Sequence, residues 1–527
     1  MTVKPAYRLF NALLFSGMLS IAFLDHNRFY LSWFAFTPLL FAIDKTTLKT
    51  TYLLSLTAGM GLFVSATYWI ADFITIAKGT SDPSDLMLAC FYWLYCAHII
   101  ALPMLLINWL RANTNIHDFI VIPVVVVTAT SAFPMLFAMR LGESQIHFHI
   151  ALQATEFLGV HALDAIIVLF NVIVFRFLSF YLNRVSPRNR PLVWPNAMAI
   201  LLVTTWFAYG VTSYALWDKK INSWDTLQVG IVQPNETPTL GIKTPYPGYS
   251  AAYPPEMEMT KRLASIGADV IVWPEASPKG YLNNTNIQQA YQRNMKAFDS
   301  NLLFQDVSLV SNPKNNDAPS QYNSAVMIDN AGQEVGIYNK LKRIPFGEYI
   351  PLLGDDALLK KWIEGILGSF LNEFSAGDEH RLFKQDKVNI VPLICYETTF
   401  PDFVANAVSK TTKQAEKANG TLLVGLSNDG WFGSTHQPYQ HVMASVLRAV
   451  ENRLPLVHVA NNGPSIVVAP SGKVIFVSDF QRAGGYIANV PYDNTAQGSF
   501  YSRHPRLFIH CLYAMLVLMI LSAMWRR

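Results

Sequence analysis

Cys395 closes an apolar run, Val391-Pro392-Leu393-Ile394, and is followed by Tyr396-Glu397. It is the only cysteine between Asp218 and Arg506; Cys90, Cys96 and Cys511 all lie inside long hydrophobic segments. A buried strand that delivers one unpaired thiol and then an acidic residue suggests a nucleophile at a strand end. A lone cysteine can equally be a small core residue, so its company decides. Glu275 ends a second apolar run, Val270-Ile271-Val272-Trp273-Pro274, and Lys340 precedes Ile344-Pro345-Phe346-Gly347-Glu348. Glu, Lys and Cys near strand ends can perform acyl transfer. The carboxylate takes the thiol proton, the thiolate attacks a carbonyl carbon, and the ammonium stabilises the oxyanion. A second carboxylate can orient the first or the lysine. Lys340 beside Cys395 would favour the thiolate, and a desolvated Glu275 would hold its proton more readily at neutral pH.

Such residues need a scaffold. From Leu227 to Tyr492 short β-rich runs alternate with polar or amphipathic stretches. Strands are expected at Leu227–Val232, Asp269–Trp273, Leu302–Val310, Ser324–Ile328, Val388–Ile394, Leu422–Leu426, Leu456–Ala460, Ser465–Ala469 and Val474–Val477. Helices are expected at Pro255–Ile266, Ile287–Phe298 and Gln437–Asn452. The alternation indicates an α/β sandwich. Tyr322 to Lys340 reads as a hairpin turning at Asp329-Asn330-Ala331-Gly332. Pro234–Pro254, rich in Pro, Gly, Thr and Tyr, reads as a long loop of the kind that often forms a lid.

Of the 527 residues 51% are hydrophobic and only 14% charged, against about 25% charged in an ordinary soluble protein. The deficit sits at the two ends. Uncharged stretches run Leu9–Leu24, Phe29–Ile43, Tyr52–Ala71, Leu86–Leu110, Phe119–Met139, Leu192–Trp217 and Leu507–Trp525, with a further apolar run at Ala165–Phe175. A bilayer-spanning helix needs about 20 apolar residues. The pattern gives seven membrane helices before the soluble region and one after it. The expected domains are 1–217 (membrane), 218–505 (extracytoplasmic and catalytic) and 506–527 (membrane). Leu9–Leu24 reads as a retained first helix rather than a cleaved signal, since a second apolar segment follows almost at once. Lys4, Arg8, Lys45, Lys49, Arg111, Arg184, Arg188, Arg190, Arg526 and Arg527 fall on one side, against Arg28, Lys78 and Arg140 on the other. By the positive-inside rule both termini are cytoplasmic. Lys219, Lys220, Arg503 and Arg506 run against that count. Asp164 and Arg176, near the ends of the sixth helix, read as snorkelling charges. A net charge of +4 is too weak to argue for nucleic acid.

Trp273-Pro274-Glu275, Tyr338-Asn339-Lys340 with Pro345-Phe346-Gly347-Glu348, and Ile394-Cys395-Tyr396-Glu397 resemble the three signature blocks of the nitrilase, or carbon–nitrogen hydrolase, superfamily. Ser427-Asn428-Asp429-Gly430-Trp431-Phe432-Gly433, Arg448-Ala449-Val450-Glu451-Asn452-Arg453 and Asn461-Asn462-Gly463 continue the pattern. With the membrane helices added, the whole chain is similar to the apolipoprotein N-acyltransferase family of the bacterial inner membrane, as is Gln440-His441-Val442-Met443-Ala444. The resemblance implies a nitrilase-like αββα sandwich inserted between membrane helices, with a periplasmic catalytic domain and no cofactor. It implies Glu275 as general base, Lys340 as oxyanion-stabilising cation and Cys395 as nucleophile. Glu348 would be a second carboxylate, with Tyr396 and Glu397 lining the site. Lys342 is the near alternative, but Lys340 fits the spacing to Glu348.

The implied reaction takes an acyl chain from membrane phospholipid onto Cys395 as a thioester. It then passes that chain to the α-amine of a diacylglyceryl-cysteine apolipoprotein. In one respect the chain departs from the family, which carries a Lys-Trp pair in the loop after the first strand. Here Lys243 is followed by Thr244, and Tyr246, Tyr249 and Tyr253 are the aromatics available. Three rival readings stand beside this one: a membrane-anchored amidase using water, a paralogue acylating another amine, and a transporter whose outer domain only binds. His441 has no second ligand at metal spacing in the sequence and reads as structural, and no Cys/His cluster suggests zinc. Trp431 and Phe432 read as packing.

Overall fold

The protein is described from a computed structural model covering residues 4–182, 193–239, 241, 243–310, 319–350, 373–413, 419–495 and 498–526. Arg184, Arg188, Arg190 and Arg527, counted above for orientation, lie outside the described residues. Two compact units are present. One comprises Met1–Ala71, Pro83–Leu216 and His504–Arg527; the other comprises Asp72–Asp82 and Trp217–Arg503.

The first unit is helical. Its apolar runs form α1 (Pro5–Leu24), α2 (Ser32–Ile43), α3 (Leu48–Ala66), α5 (Pro83–Asn113), α6 (Asp118–Ala132), α7 (Val160–Tyr181), α8 (Val193–Ile221) and a last helix, Leu507–Trp525. Between α3 and α5 lies α4 (Ile70–Lys78), bent 57° from α3. Among the described residues five helices are long and apolar enough to cross a membrane, or six if α3 and α4 form one bent span. The two segments that fall short are α2, of 12 residues, and α6, of 15.

Apolar side chains gain little by leaving lipid for one another, so such helices hold together by close approach and hydrogen bonds. Gly59 supplies the first: a Cβ there would lie 2.5 Å from the Ala97 carbonyl oxygen. Ser16 Oγ to the Ala58 carbonyl, 2.7 Å, and Asn171 Nδ2 to the Ser32 carbonyl, 3.0 Å, supply the second. Asp164 does not snorkel. It is buried and accepts from the Gly142 backbone N–H at 2.7 Å. Arg176 stacks its guanidinium on the Phe119 ring, 5.2 Å from the centroid.

The second unit contains two six-stranded mixed sheets. The first runs β12 (Gly484–Tyr492), β1 (Asp225–Gln233), β2 (Val270–Val272), β3 (Asn301–Val310), β4 (Ser320–Ile328), β5 (Glu334–Asn339). The second runs β11 (Val474–Val477), β10 (Ile466–Val468), β9 (Leu456–Ala460), β8 (Gly420–Ser427), β7 (Val388–Ile394), β6 (Phe383–Lys384). One core lies between them: Leu227, Val229, Ile231, Val270 and Val272 meet Ile390, Ile394, Leu422, Val424 and Leu426. The two-residue side-chain period of each strand sends the alternate residues outward. Ile271, Leu302 and Phe304 thus pack against α9 (Pro255–Ser265) and α10 (Thr285–Phe298) through Met257, Leu263, Tyr291 and Met295. Beyond the second sheet lie α11 (Pro401–Thr411) and α12 (Gln437–Asn452). The layers are helix, sheet, sheet, helix.

Val388–Ile394, Leu456–Ala460 and Gln437–Asn452 fall where expected. The hairpin is β4–β5, closed by Gly332 at φ +80° with its N–H on the Asp329 carbonyl. Among the described residues β6, β12, α11 and a short helix at Phe500–Arg503 are additional to the expectation.

Candidate active site

The strands β2, β5 and β7 all deliver a chemically active residue at or just beyond their C-terminal ends. Glu275 follows β2, Lys340 follows β5, and Cys395 follows β7. Cys395 opens a single tight turn, Cys395–Thr399, and carries φ +48°. For an L-residue that left-handed conformation costs on the order of 1–2 kcal/mol, so its surroundings must hold it there.

Lys340 Nζ lies 2.8 Å from Glu348 Oε1 and 3.9 Å from Glu275 Oε1. Asn323 bridges the two carboxylates, donating from Nδ2 to Glu275 Oε1 at 2.6 Å and to Glu348 Oε1 at 3.0 Å. Gln305 fixes the Asn323 amide by donating to its Oδ1 at 3.0 Å. Cys395 neighbours Glu275 and Lys340 closely enough that their charges act on its thiol. Glu275, Lys340, Glu348 and Cys395 thus form one cluster, and Lys340 is 1% exposed. Lys342 is elsewhere, its ammonium over the Phe400 ring at 4.6 Å.

Burial raises the Glu275 pKa above the ordinary carboxylate value. The Glu348 charge adds to this, while Lys340 and Asn323 oppose it. Burial also pushes the Cys395 thiol well up, aided by the Glu275 charge; Lys340 and the Asn428 backbone N–H pull only part of the way back. Lys340 favours the thiolate as expected, but desolvation outweighs it and the net shift is upward. The sulfur needs a base beside it. Lys340 remains charged, since two carboxylates more than offset its own desolvation.

Glu397 ties the turn to the lysine loop. Its Oε1 accepts from Tyr338 Oη (2.8 Å), Leu341 N (2.8 Å) and Lys342 N (3.0 Å), and its Oε2 accepts from Ile394 N (2.8 Å). Tyr396, next to the nucleophile, is buried and sets its ring edge-on to Phe400 at 4.7 Å. In the Pro234–Pro254 loop, Lys243 Nζ reaches Glu236 Oε2 at 3.3 Å and the Thr237 carbonyl at 2.7 Å. Tyr246 and Tyr249 are exposed, whereas Tyr253 donates to Glu258 at 2.8 Å. Residues 240 and 242 of that loop lie outside the described residues. Phe432 stacks on Phe73 at 5.1 Å.

A second cluster was not visible in the sequence. Asp429, His441 and His458 are fully or nearly fully buried, with ligand atoms within 4.8 Å of one another. His441 is hydrogen bonded, as its structural reading expects, and the fold brings to it the two ligand types that the sequence spacing did not show. As donor types the three could hold a metal ion. The ring nitrogens of His441 are already used, Nδ1 facing Asp429 Oδ1 at 2.8 Å and Nε2 facing Thr398 Oγ1 at 2.9 Å. Burial alone would lower the His441 pKa, but the Asp429 charge and hydrogen bond raise it instead.

Two sheets flanked by helices, with Glu, Lys and Cys gathered from three strand ends, define a carbon–nitrogen hydrolase fold. The carbon-nitrogen hydrolase family model matches residues 251–498. That of the apolipoprotein N-acyltransferase N-terminal domain matches residues 15–173, among the apolar helices. The chain is thus similar to the apolipoprotein N-acyltransferases over both of its parts. It is 25% identical over 524 residues to an apolipoprotein N-acyltransferase of Geobacter metallireducens, covering 94% of this chain and 91% of that one. One from Rhizobium leguminosarum is 34% identical over 236 residues, 45% of this chain and 42% of its own. A solved amidase from Nesterenkonia sp. covers 55% of this chain and 96% of its own, at 15% identity and a TM-score of 0.35.

Proposed function

We propose that this protein transfers an acyl chain from a membrane phospholipid, through a thioester on Cys395, to the N-terminal α-amine of diacylglyceryl-cysteine lipoproteins. The observation that carries the reading is the buried Glu275–Lys340–Cys395 cluster in a chain similar to that family. Glu275 takes the proton from the Cys395 thiol as sulfur attacks the ester carbonyl. The oxygen gathers the negative charge beside the Lys340 ammonium. Collapse breaks the carbon–oxygen ester bond, and the lysophospholipid leaves with the proton returned by Glu275. In the second half the amine attacks the thioester carbonyl and loses a proton to Glu275. The carbon–sulfur bond then breaks, and the thiol is restored. Glu348 holds Lys340, and Tyr396 and Glu397 keep the turn and the lysine loop in register.

Donor and acceptor both reside in a bilayer, which is why the catalytic unit travels with apolar helices. Residues 1–217 and 506–527 are the membrane part in this reading, and 218–505 the catalytic part. The domain faces the periplasm, and both termini face the cytoplasm. Incubating the full-length protein with phospholipid in detergent tests the first half-reaction. Mass spectrometry is expected to find an acyl adduct on the peptide containing Cys395, absent from Cys395→Ala. An unmodified cysteine in the intact protein after exposure to several phospholipids would refute the reading.

A further inference from the structure

The Cys395 carbonyl oxygen is held both from its own turn and from α12. Thr398 Oγ1 donates to it at 3.1 Å, and His441 Nε2 faces it at 3.3 Å while reaching Thr398 Oγ1 at 2.9 Å. A carbonyl oxygen only accepts, so Nε2 carries a proton. Nδ1 lies 2.8 Å from Asp429 Oδ1, which anchors the other edge of the ring. Two turns further along α12, Arg448 Nη1 donates to the Thr398 carbonyl at 3.3 Å while Nε pairs with Glu451 at 2.6 Å. Space for this is made by Gly425 on β8: a Cβ there would sit 3.2 Å from Thr398 Cγ2 and 3.4 Å from His458 Nδ1. Ser427 Oγ completes the array, 3.1 Å from Asp429 Oδ1 and 3.7 Å from the Cys395 sulfur.

We propose that His441, anchored by Asp429, is the positioning residue that clamps the Cys395 backbone in its left-handed conformation and so aims the sulfur at Glu275. The clamp acts on the carbonyl of the nucleophile itself, directly and through the Thr398 hydroxyl. Charged and titratable groups surround the His441 ring. Asp429 faces it from the loop after β8. His458 on β9 stands edge-on at 4.9 Å and spends its Nδ1 on Ser445. Arg448, on the same helix, is neutralised by Glu451. Glu275 acts on the ring from across the site. The catalytic consequence rests on the acyl-transfer reading, whereas the conformational clamp does not.

Two substitutions separate the contacts. His441→Asn keeps a donor for Asp429 but withdraws from Thr398 and the Cys395 carbonyl. His441→Gln places its amide nitrogen where Nε2 stood. Iodoacetamide labelling of Cys395 in the full-length protein, followed on the Cys395 peptide across a neutral-to-alkaline pH series, needs no acyl donor. Labelling and acyl-adduct formation should fall by about 10²-fold in His441→Asn, the scale of a ~1 Å misplacement, with KM for phospholipid unchanged. His441→Gln should recover most of both. Equal losses in the two variants, or an unchanged labelling profile in His441→Asn at an unchanged melting temperature, would overturn the clamp. If His441→Asn does not fold, Thr398→Val removes the relaying hydroxyl, and normal labelling there would overturn it equally. A stoichiometric metal in the unmodified protein would also overturn it, because a ligated nitrogen cannot donate. If the unmodified protein forms no acyl adduct, the acyl-transfer reading fails while the labelling contrast still decides this one.

Discussion

Lys340 and Glu348 are joined by a 2.8 Å contact between two buried side chains, and Asn323 carries the link on to Glu275. A lysine withdrawn from water keeps its charge only because carboxylates face it. In the proposed reaction one of these carboxylates, Glu275, is also the base that moves the proton.

Lys340→Met is expected to slow acyl-adduct formation by about 10²–10³-fold, the usual loss for one oxyanion-stabilising donor. Lys342→Met should be mild, since the Lys342 ammonium lies over Phe400 rather than in the cluster. Single-turnover acylation rates of the two variants provide the comparison. A severe Lys342→Met with a mild Lys340→Met would move the assignment two residues along the chain.

The pH dependence of acylation has a definite sign. Glu275 must be ionised to take a proton, and burial first, then the Glu348 charge, raise its pKa. The acid limb of the acylation rate should therefore lie above the ordinary carboxylate range of about 4.3. Glu348→Gln removes one raising charge and leaves Lys340 nearer to Glu275 alone, so the limb should move to lower pH. A limb that moves upward would contradict this electrostatic account.

Much of the scaffold was legible because its central strands are buried on both faces and so read as unbroken apolar runs, as Val388–Ile394 does. β12 was not, because it is an edge strand with two glycines at its start, Pro491 near its end and mixed exposure. α11 hides behind Phe400-Pro401, where the proline that opens the helix looks like a break. Glu275 and Cys395 each end an apolar run and Lys340 stands just before Ile344-Pro345-Phe346-Gly347-Glu348, so position along the chain pointed to them. Asp429, His441 and His458 lie on a loop, a helix and a strand, with no shared period. Only the packing of α12 on the second sheet makes them neighbours.

The buried Arg448–Glu451 pair bears on stability rather than chemistry. Both side chains are withdrawn from solvent, with Nε to Oε2 at 2.6 Å. Arg448→Met deprives the buried Glu451 carboxylate of its cation, which typically costs about 3–5 kcal/mol. The melting temperature of the full chain in detergent should fall clearly, and the Thr398 carbonyl loses its donor at the same time. An unchanged melting temperature would mean that the pair is dispensable.

Orientation is open to a direct check. Reporter fusions after Asn113 and after Tyr492 should report opposite sides of the membrane, the first cytoplasmic and the second not. Agreement between the two would mean that the number of crossings before the catalytic unit differs from the one proposed.

The most direct test of the central claim follows the fate of the acyl group on Cys395. Water and a lipoprotein amine compete for the same thioester carbonyl. The isolated acyl-Cys395 form should persist in buffer, then discharge quickly on addition of a diacylglyceryl lipopeptide with a free amino terminus, giving the N-acylated product. The same lipopeptide with its amine blocked should leave the adduct intact. Rapid discharge in plain buffer, releasing free fatty acid at one rate with or without the lipopeptide, would contradict the account and make the protein a hydrolase.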